Sequence, residues 1–221
     1  MAERRYEQSC PLACALDLLG ERWTLLIVRD LVAGPKRYTD LRRGLPGLAT
    51  DLLTERLRKL ERAGLVARRE LPPPAPATVY ELTERGRELK PAILTLARFG
   101  LGLLGESPSA DAPPTPDQFA LLLSALLEPD RAPTAPETWV FEGDGGRVAV
   151  SIGREGVQLH ADPDELPRAP AARFIGDPPT IYDLVVGRLD TSGALADGTL
   201  RIEGDTRALQ RMRAALGGAG R

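Results

Sequence analysis

The chain has 221 residues, longer than the roughly 100–150 of a common single domain, so two domains are expected, each able to bury its own core. Its 43% hydrophobic and 27% charged residues are ordinary globular composition and exclude a disordered chain, and no apolar run reaches the roughly 18 residues that a spanning helix requires. A net charge of −2 points by itself to no polyanionic partner, yet residues 1–104 hold 18 Lys and Arg against 13 Asp and Glu, while residues 105–221 hold 11 against 18.

In chain order, the polar start, Met1 to Gln8, has no apolar signal segment, which points to the cytoplasm. Helical periodicity follows over Pro11–Leu19, Arg22–Ala33, Tyr38–Leu45 and Ala49–Ala63. Gly34-Pro35, Leu45-Pro46-Gly47 and Gly64 punctuate these segments. Two β-prone pieces, Leu65–Arg69 and Thr78–Leu82, flank a Pro-rich hairpin tip at residues 72–77, and Thr83 caps a long helix over Glu84–Leu104 weakened by Gly86 and Pro91. Four short helices, two strands and a long helix predict a winged helix-turn-helix.

Residues 105–116 are rich in Pro, Ser, Ala and acid and read as a linker between a domain at 1–104 and one at 117–221. Thr115–Leu127 reads as a capped helix, followed by strands at Thr138–Phe141, Arg147–Ile152, Val157–His160, Arg173–Ile175 and Thr199–Glu203, with helices at Thr180–Val186 and Asp205–Leu216. The expectation is an α+β domain whose helices cover one face of an antiparallel sheet, so the fold class of the whole chain is α+β.

The Ala49–Ala63 helix carries the candidate chemistry. Leu53, Leu57 and Leu60 form an inward stripe, and Thr50, Asp51, Thr54, Glu55, Arg58 and Arg62 lie opposite it. Short polar groups at the helix start and long basic ones later suit a helix whose first turns enter the major groove of double-stranded DNA. Thr50 and Thr54 suit thymine methyls or base edges, Glu55 a cytosine amino group, and Arg58 guanine or phosphate. Lys36, Arg37, Arg42, Arg43, Arg68 and Arg69 are candidate phosphate contacts, which position the protein without reading sequence. The alternative for the same stripe is a solvated face of an amphipathic helix.

Catalysis has little support. There is no Gly-x-Ser-x-Gly, no phosphate loop and no histidine pair, Gly143–Gly146 reads as a hairpin turn, and the sole histidine, His160 with Asp162 and Asp164 beyond it, reads as a strand end. Two cysteines, Cys10 and Cys14, make no disulfide framework, and one histidine is too few for a His-based metal site, so no cofactor is expected.

Cys10-Pro11, Leu19-Gly20, Trp23, Arg37-Tyr38, Leu41, Gly47-Leu48, Leu53, Arg56-Leu57, Leu60, Gly64-Leu65-Val66 and Val79–Thr83, with Gly86, Leu89 and Pro91, resemble the HxlR-type winged-helix regulators, relatives of the MarR group. The resemblance covers about residues 8–104. It implies a DNA-binding transcription regulator, a repressor by expectation, acting as a homodimer formed by the first and last helices of the domain on two half-sites about one turn apart. It also implies that some members sense oxidants through the cysteine matching Cys10, which makes Cys10 the candidate redox residue. Two departures stand out: Ala49 replaces the usual Ser or Thr at the start of the reading helix, a weaker cap by about 1 kcal/mol unless Thr50 or Asp51 substitutes, and the wing tip carries no Arg or Lys.

More loosely, residues 115–217 resemble the sterol-carrier-protein type two fold, on Arg147–Ile152, Thr180–Leu189 and Gly198–Asp205. That resemblance implies an apolar cavity for a hydrophobic effector, with Phe119, Leu122, Leu123, Leu126, Trp139, Ile181, Leu184 and Val185 as candidate lining residues, although the same residues would serve any core. A lipid-like carrier that uses its winged helix only to dimerise is the alternative function.

Overall fold

The computed structural model describes residues 6–72, 76–103, 114–144, 146–160, 164, 166 and 168–217. Most of the expected linker and the middle of the wing tip lie outside the described residues. Contacts divide the chain into two compact units between Ile93 and Leu94.

In the first unit, α1 (Pro11–Leu19), α2 (Thr24–Val32), α3 (Tyr38–Gly44) and α4 (Thr50–Arg62) precede strands β2 (Val66–Leu71) and β3 (Ala77–Leu82) and a short α5 (Glu84–Arg87). The inward leucines of α4, Leu53, Leu57 and Leu60, are at most 1% exposed and share the buried interior with Ile27, Val28, Leu31, Leu41, Leu45, Val79 and Leu82. This is the winged helix-turn-helix that the periodicity predicts, with three local differences.

Helix α2 begins at Thr24 rather than Arg22, because Trp23 takes a left-handed backbone conformation (φ 77°) that cannot continue a helix and serves as its N-cap instead. A two-residue strand, β1 (Lys36–Arg37), pairs antiparallel with β3, giving sheet order β1-β3-β2 with Lys36 opposite Tyr80. The long helix expected from residue 84 is interrupted: α5 ends at Arg87 and α6 (Lys90–Leu101) starts anew. Pro91 has no N–H to bond back into the preceding turn, and Gly86 lies against the Leu65 carbonyl, where a Cβ would collide.

The second unit holds α7 (Pro116–Leu126), β4 (Glu137–Gly143), β5 (Gly146–Gly153), β6 (Gly156–Leu159), β7 (Ala172–Ile175), α8 (Pro178–Val186), α9 (Thr191–Asp197), β8 (Arg201–Gly204) and α10 (Ala208–Ala215). Thr115 caps α7 by accepting from the Gln118 N–H while the Gln118 side chain accepts from the Thr115 N–H, and Asp177 caps α8 from the Thr180 N–H. The strands form one sheet in the order β6-β5-β4-β7-β8. All of its pairs are antiparallel except β4 with β7, which run parallel with Phe141 beside Phe174.

Alternation along β4 and β5 sends Trp139, Phe141, Val150 and Ile152 into a cluster with Phe119, Leu123, Phe174, Leu184 and Met212. Phe119 meets Phe141 edge-on at 4.9 Å between ring centres, and Phe141 stacks on Phe174 at 5.3 Å. Arg98 of α6 closes one edge of this unit by donating to the Ala125 carbonyl at 2.7 Å and to the Leu127 carbonyl at 3.1 Å.

Candidate nucleic-acid interface and second-unit cleft

Helix α4 displays its polar stripe. Thr50, Asp51, Glu55, Arg58 and Arg62 are exposed and Thr54 is half-buried, while every leucine of the inward stripe is sealed. Asp51, Thr54, Glu55, Arg58, Glu61 and Arg62 share one open concave face. Arg58 and Arg62 make no ion pair or hydrogen bond among the described residues, so their guanidinium groups are available to an external anion. Ala49 stands at the N-cap with no side-chain bond, leaving the first N–H groups of the helix uncapped by it, and Asp51 supplies negative charge to the first turn.

Other members of the stripe are already engaged. The Thr54 hydroxyl lies 3.0 Å from the Thr50 carbonyl and 3.1 Å from the Tyr38 hydroxyl, and Tyr38 itself donates to the Thr50 carbonyl at 2.8 Å. Thr54 therefore fastens the start of α4 to the start of α3. Glu55 accepts from Arg56 at 2.8 Å.

Arg56 is the residue that sequence reasoning passed over. It points inward, 8% exposed, and pairs with both Glu55 and Glu21. Lys59, one turn on, donates to the Asp17 carbonyl at 3.0 Å and stands 3.8 Å from Glu21. Helix α4 is thus tied by two cations to the end of α1 and the turn that follows it. The available signal was a pair of basic residues on the flank of the leucine stripe, spaced by three.

Around α4, Arg37, Arg42 and Arg43 are exposed and Lys36 is half-buried, with Arg43 only loosely paired to Asp40 at 3.8 Å. In the wing, Arg68 is exposed and 3.9 Å from Glu70. Arg69 is committed: its guanidinium grips Glu81 across the strands at 3.1 and 3.0 Å, and that fork holds the Glu81 carboxyl below its usual range and pushes the Arg69 guanidinium up. Cys10 occupies the N-cap position of α1 and is half-buried; Cys14 is exposed, its thiol 3.9 Å from the Gln8 carbonyl.

In the second unit, a cleft of about 100 Å³ opens at one end of the sheet, lined by Phe119, Phe141, Val148, Ile181 and Tyr182 and edged by Glu142 and Arg147. Of the expected lining residues, Phe119 and Ile181 stand on it. Leu123, Leu126, Trp139, Leu184 and Val185 lie inside the apolar cluster, and Leu122 packs against it half-buried. Gly143 and Gly146 face each other at the turn of the β4–β5 hairpin. His160 follows β6 and lies 2.7 Å from the Ser151 hydroxyl; Asp162 falls outside the described residues.

Comparison with known proteins agrees with this geometry. The model of the HxlR-like helix-turn-helix family matches residues 18–107. A helix-turn-helix type transcriptional regulator of Synechocystis sp. is 40% identical over 91 residues, covering 41% of this chain and 67% of its own length. The regulator YdeP of Bacillus subtilis strain 168 is 36% identical over 93 residues, covering 42% of this chain and 73% of its own. The chain belongs to the HxlR-like helix-turn-helix family.

A solved structure of a MarR-family transcriptional regulator from Porphyromonas gingivalis W83 matches 46% of this HxlR-like chain and 99% of its own at 30% identity, with a TM-score of 0.42. The relatives named here are described as transcriptional regulators rather than enzymes. A second model, the SCP-2 sterol transfer family, matches residues 133–217, so this HxlR-like chain carries an SCP-2 type domain behind its winged helix. No helix among the described residues is long and apolar enough to cross a membrane, and no cluster of three or more metal-binding side chains occurs among them.

Proposed function

We propose that the protein is a cytoplasmic, dimeric, sequence-specific DNA-binding repressor that lays α4 in the major groove. The carrying observation is the outward stripe of α4: Thr50, Asp51, Glu55, Arg58 and Arg62 are exposed while Leu53, Leu57 and Leu60 on the same helix are sealed. Arg37, Arg42 and Arg43 add exposed cations beside it, as phosphate contacts require. Footprinting on DNA flanking the protein's own gene, repeated across salt, tests this: a discrete protected site whose affinity falls steeply with salt is expected, and only uniform, weak binding to every fragment overturns it.

Two features support the dimer. Leu12 (66% exposed) and Leu16 recur on α1, and Leu96 and Phe99 (69% exposed) recur on α6, each an apolar face left open. Phe99→Glu is expected to yield a monomer in light scattering and to lose tight operator binding, because a single half-site forfeits the second set of contacts.

Control comes either from a hydrophobic effector in the second unit, supported by the cleft at Phe119 and Ile181, or from oxidation at the half-buried Cys10. An effector regulates only if it binds the DNA-competent and DNA-free states with different affinity. Operator affinity measured before and after mild oxidant, in wild type and Cys10→Ser, separates the two: a drop confined to wild type identifies the thiol, and no drop removes it.

A further inference from the structure

We propose that the first unit holds a ligand site of its own: a cavity at the base of the wing that takes a small organic carboxylate with a compact, saturated body of about one ring.

The cavity forms where three connections meet. Leu31 and Val32 of α2 and Pro35 of the turn after it supply one wall, Leu82 at the end of β3 another, and Arg87 and Lys90 flank the break between α5 and α6. All of these residues belong to the first unit, so the site is independent of the second-unit cleft. Its volume is about 230 Å³, above the roughly 150 Å³ cavity that accommodates benzene and below the roughly 300 Å³ at which pockets for drug-sized ligands begin. One ring with a single substituent fits that space, and a long chain or a fused ring system exceeds it. The apolar wall is aliphatic, which gives a ring close contact without an aromatic partner to stack on, and so suits a saturated body.

Charge selects the substituent. Glu81 is the carboxylate on the lining, and it is already gripped by the Arg69 fork at 3.1 and 3.0 Å. Arg87 adds to the field that lowers the Glu81 carboxyl but forms no ion pair with it among the described residues; it donates one N–H to the Leu82 carbonyl at 3.1 Å. Lys90 is exposed and makes no ion pair or hydrogen bond among the described residues. Three cations are thus gathered about one carboxylate, a surplus that attracts a monoanion and repels a cation. A hydrocarbon alone would leave this surplus unmatched, and a small inorganic anion would leave the aliphatic wall uncovered. A carboxylate on an apolar body answers both.

The test is calorimetric titration of the full chain with cyclohexanecarboxylate, against acetate as the charge without the body, cyclohexanol as the body without the charge and cyclohexylammonium as the opposite charge. Cyclohexanecarboxylate is expected to saturate one site per chain, more tightly than the other three, with an affinity that falls as salt is added. Lys90→Gln removes an exposed, unpaired cation and is expected to weaken binding about 3- to 10-fold. Val32→Phe, at a half-buried position on the wall, is expected to fill the cavity and abolish binding. Val148→Phe, on the second-unit cleft, is expected to leave the affinity unchanged. Melting curves confirm that each variant is folded, and if Val32→Phe is not, Lys90→Gln carries the test. No saturable binding, acetate or cyclohexanol binding as tightly as cyclohexanecarboxylate, an affinity equal in wild type and Lys90→Gln, or a loss confined to Val148→Phe each overturns the inference.

Discussion

The candidate groups of the first unit are polar or charged, mostly exposed and centred on the thirteen residues of α4, whereas those of the second are apolar, mostly buried and drawn from α7, the β4–β5 hairpin and α8. A site of the first kind recognises by charge and hydrogen-bonding edges, so its affinity moves with salt. A site of the second kind recognises by volume and apolar surface, so it moves with the shape of the cavity and hardly with salt. Combining the two in one chain lets each be perturbed by an agent to which the other is blind.

The largest expected effect breaks the second unit alone. Trp139 is wholly buried in the aromatic cluster, and Trp139→Ala is expected to cost about 3–5 kcal/mol, read as a lowered denaturant midpoint of the second unit. If the two kinds of site are separable, a fragment spanning residues 1–104 retains its salt-dependent DNA affinity. Loss of DNA binding in the folded Trp139→Ala chain would join what the comparison keeps apart.

Next comes the charge-reading surface. Arg58 is exposed and unpaired among the described residues, so Arg58→Ala is expected to leave the melting temperature within a degree or two while weakening operator binding by about 1–3 kcal/mol, roughly 5- to 150-fold. A loss equal for all sequences assigns Arg58 to phosphate, and a loss confined to the operator assigns it to a base. An unchanged affinity would remove α4 from the interface.

The same contrast explains what the sequence reveals. Helix α4 is legible because a 3.6-residue period over thirteen residues separates inside from outside without reference to any other segment. Arg56 defeats that logic. A charge within an apolar flank reads as surface, and its burial depends on Glu21, 35 residues earlier in sequence, as well as on the neighbouring Glu55. Tyr38 is similar: its hydroxyl fixes the start of α4 from the preceding helix, a contact that no local pattern encodes.

Strand β1 is two residues long, too short to show any period, and the parallel pairing of β7 with β4 depends on which edge a returning strand joins. In the second unit, eight apolar residues fitted a lining equally well; all eight belong to the cluster or its margin and only Phe119 and Ile181 also stand on the cleft, because apolar side chains carry no mark that distinguishes wall from core. Helix α9 carries Gly and Ala where a longer apolar stripe would have announced it.

A smaller effect sharpens how α4 is held. Glu21 is about half exposed and bonded to buried Arg56, so Glu21→Gln is expected to cost about 1 kcal/mol, between the values for surface and buried pairs. The informative readout is DNA specificity. If Arg56 and Lys59 set the angle of α4 through Glu21 and Asp17, discrimination between operator and mismatched sites narrows even where stability is restored by temperature. Unchanged discrimination would make the link a matter of stability only.

The smallest effect lies in the wing, and it carries the sign of the electrostatics. Arg69 is held by Glu81 and is thereby withheld from phosphate. Glu81→Gln is expected to release it, raising DNA affinity by a small factor and steepening the salt slope by about 0.9 for the one phosphate gained. Stability changes little because the pair is exposed. The fork depresses the Glu81 carboxyl, so the pairing is complete above the ordinary carboxylate range and is lost as pH falls through the lower value of the folded protein. Wild type and Glu81→Gln should therefore differ most near neutrality and converge in acid. A difference that persists unchanged at low pH, where the carboxyl is neutral, would show that the substitution acts on DNA binding through neither the ion pair nor the charge of Glu81.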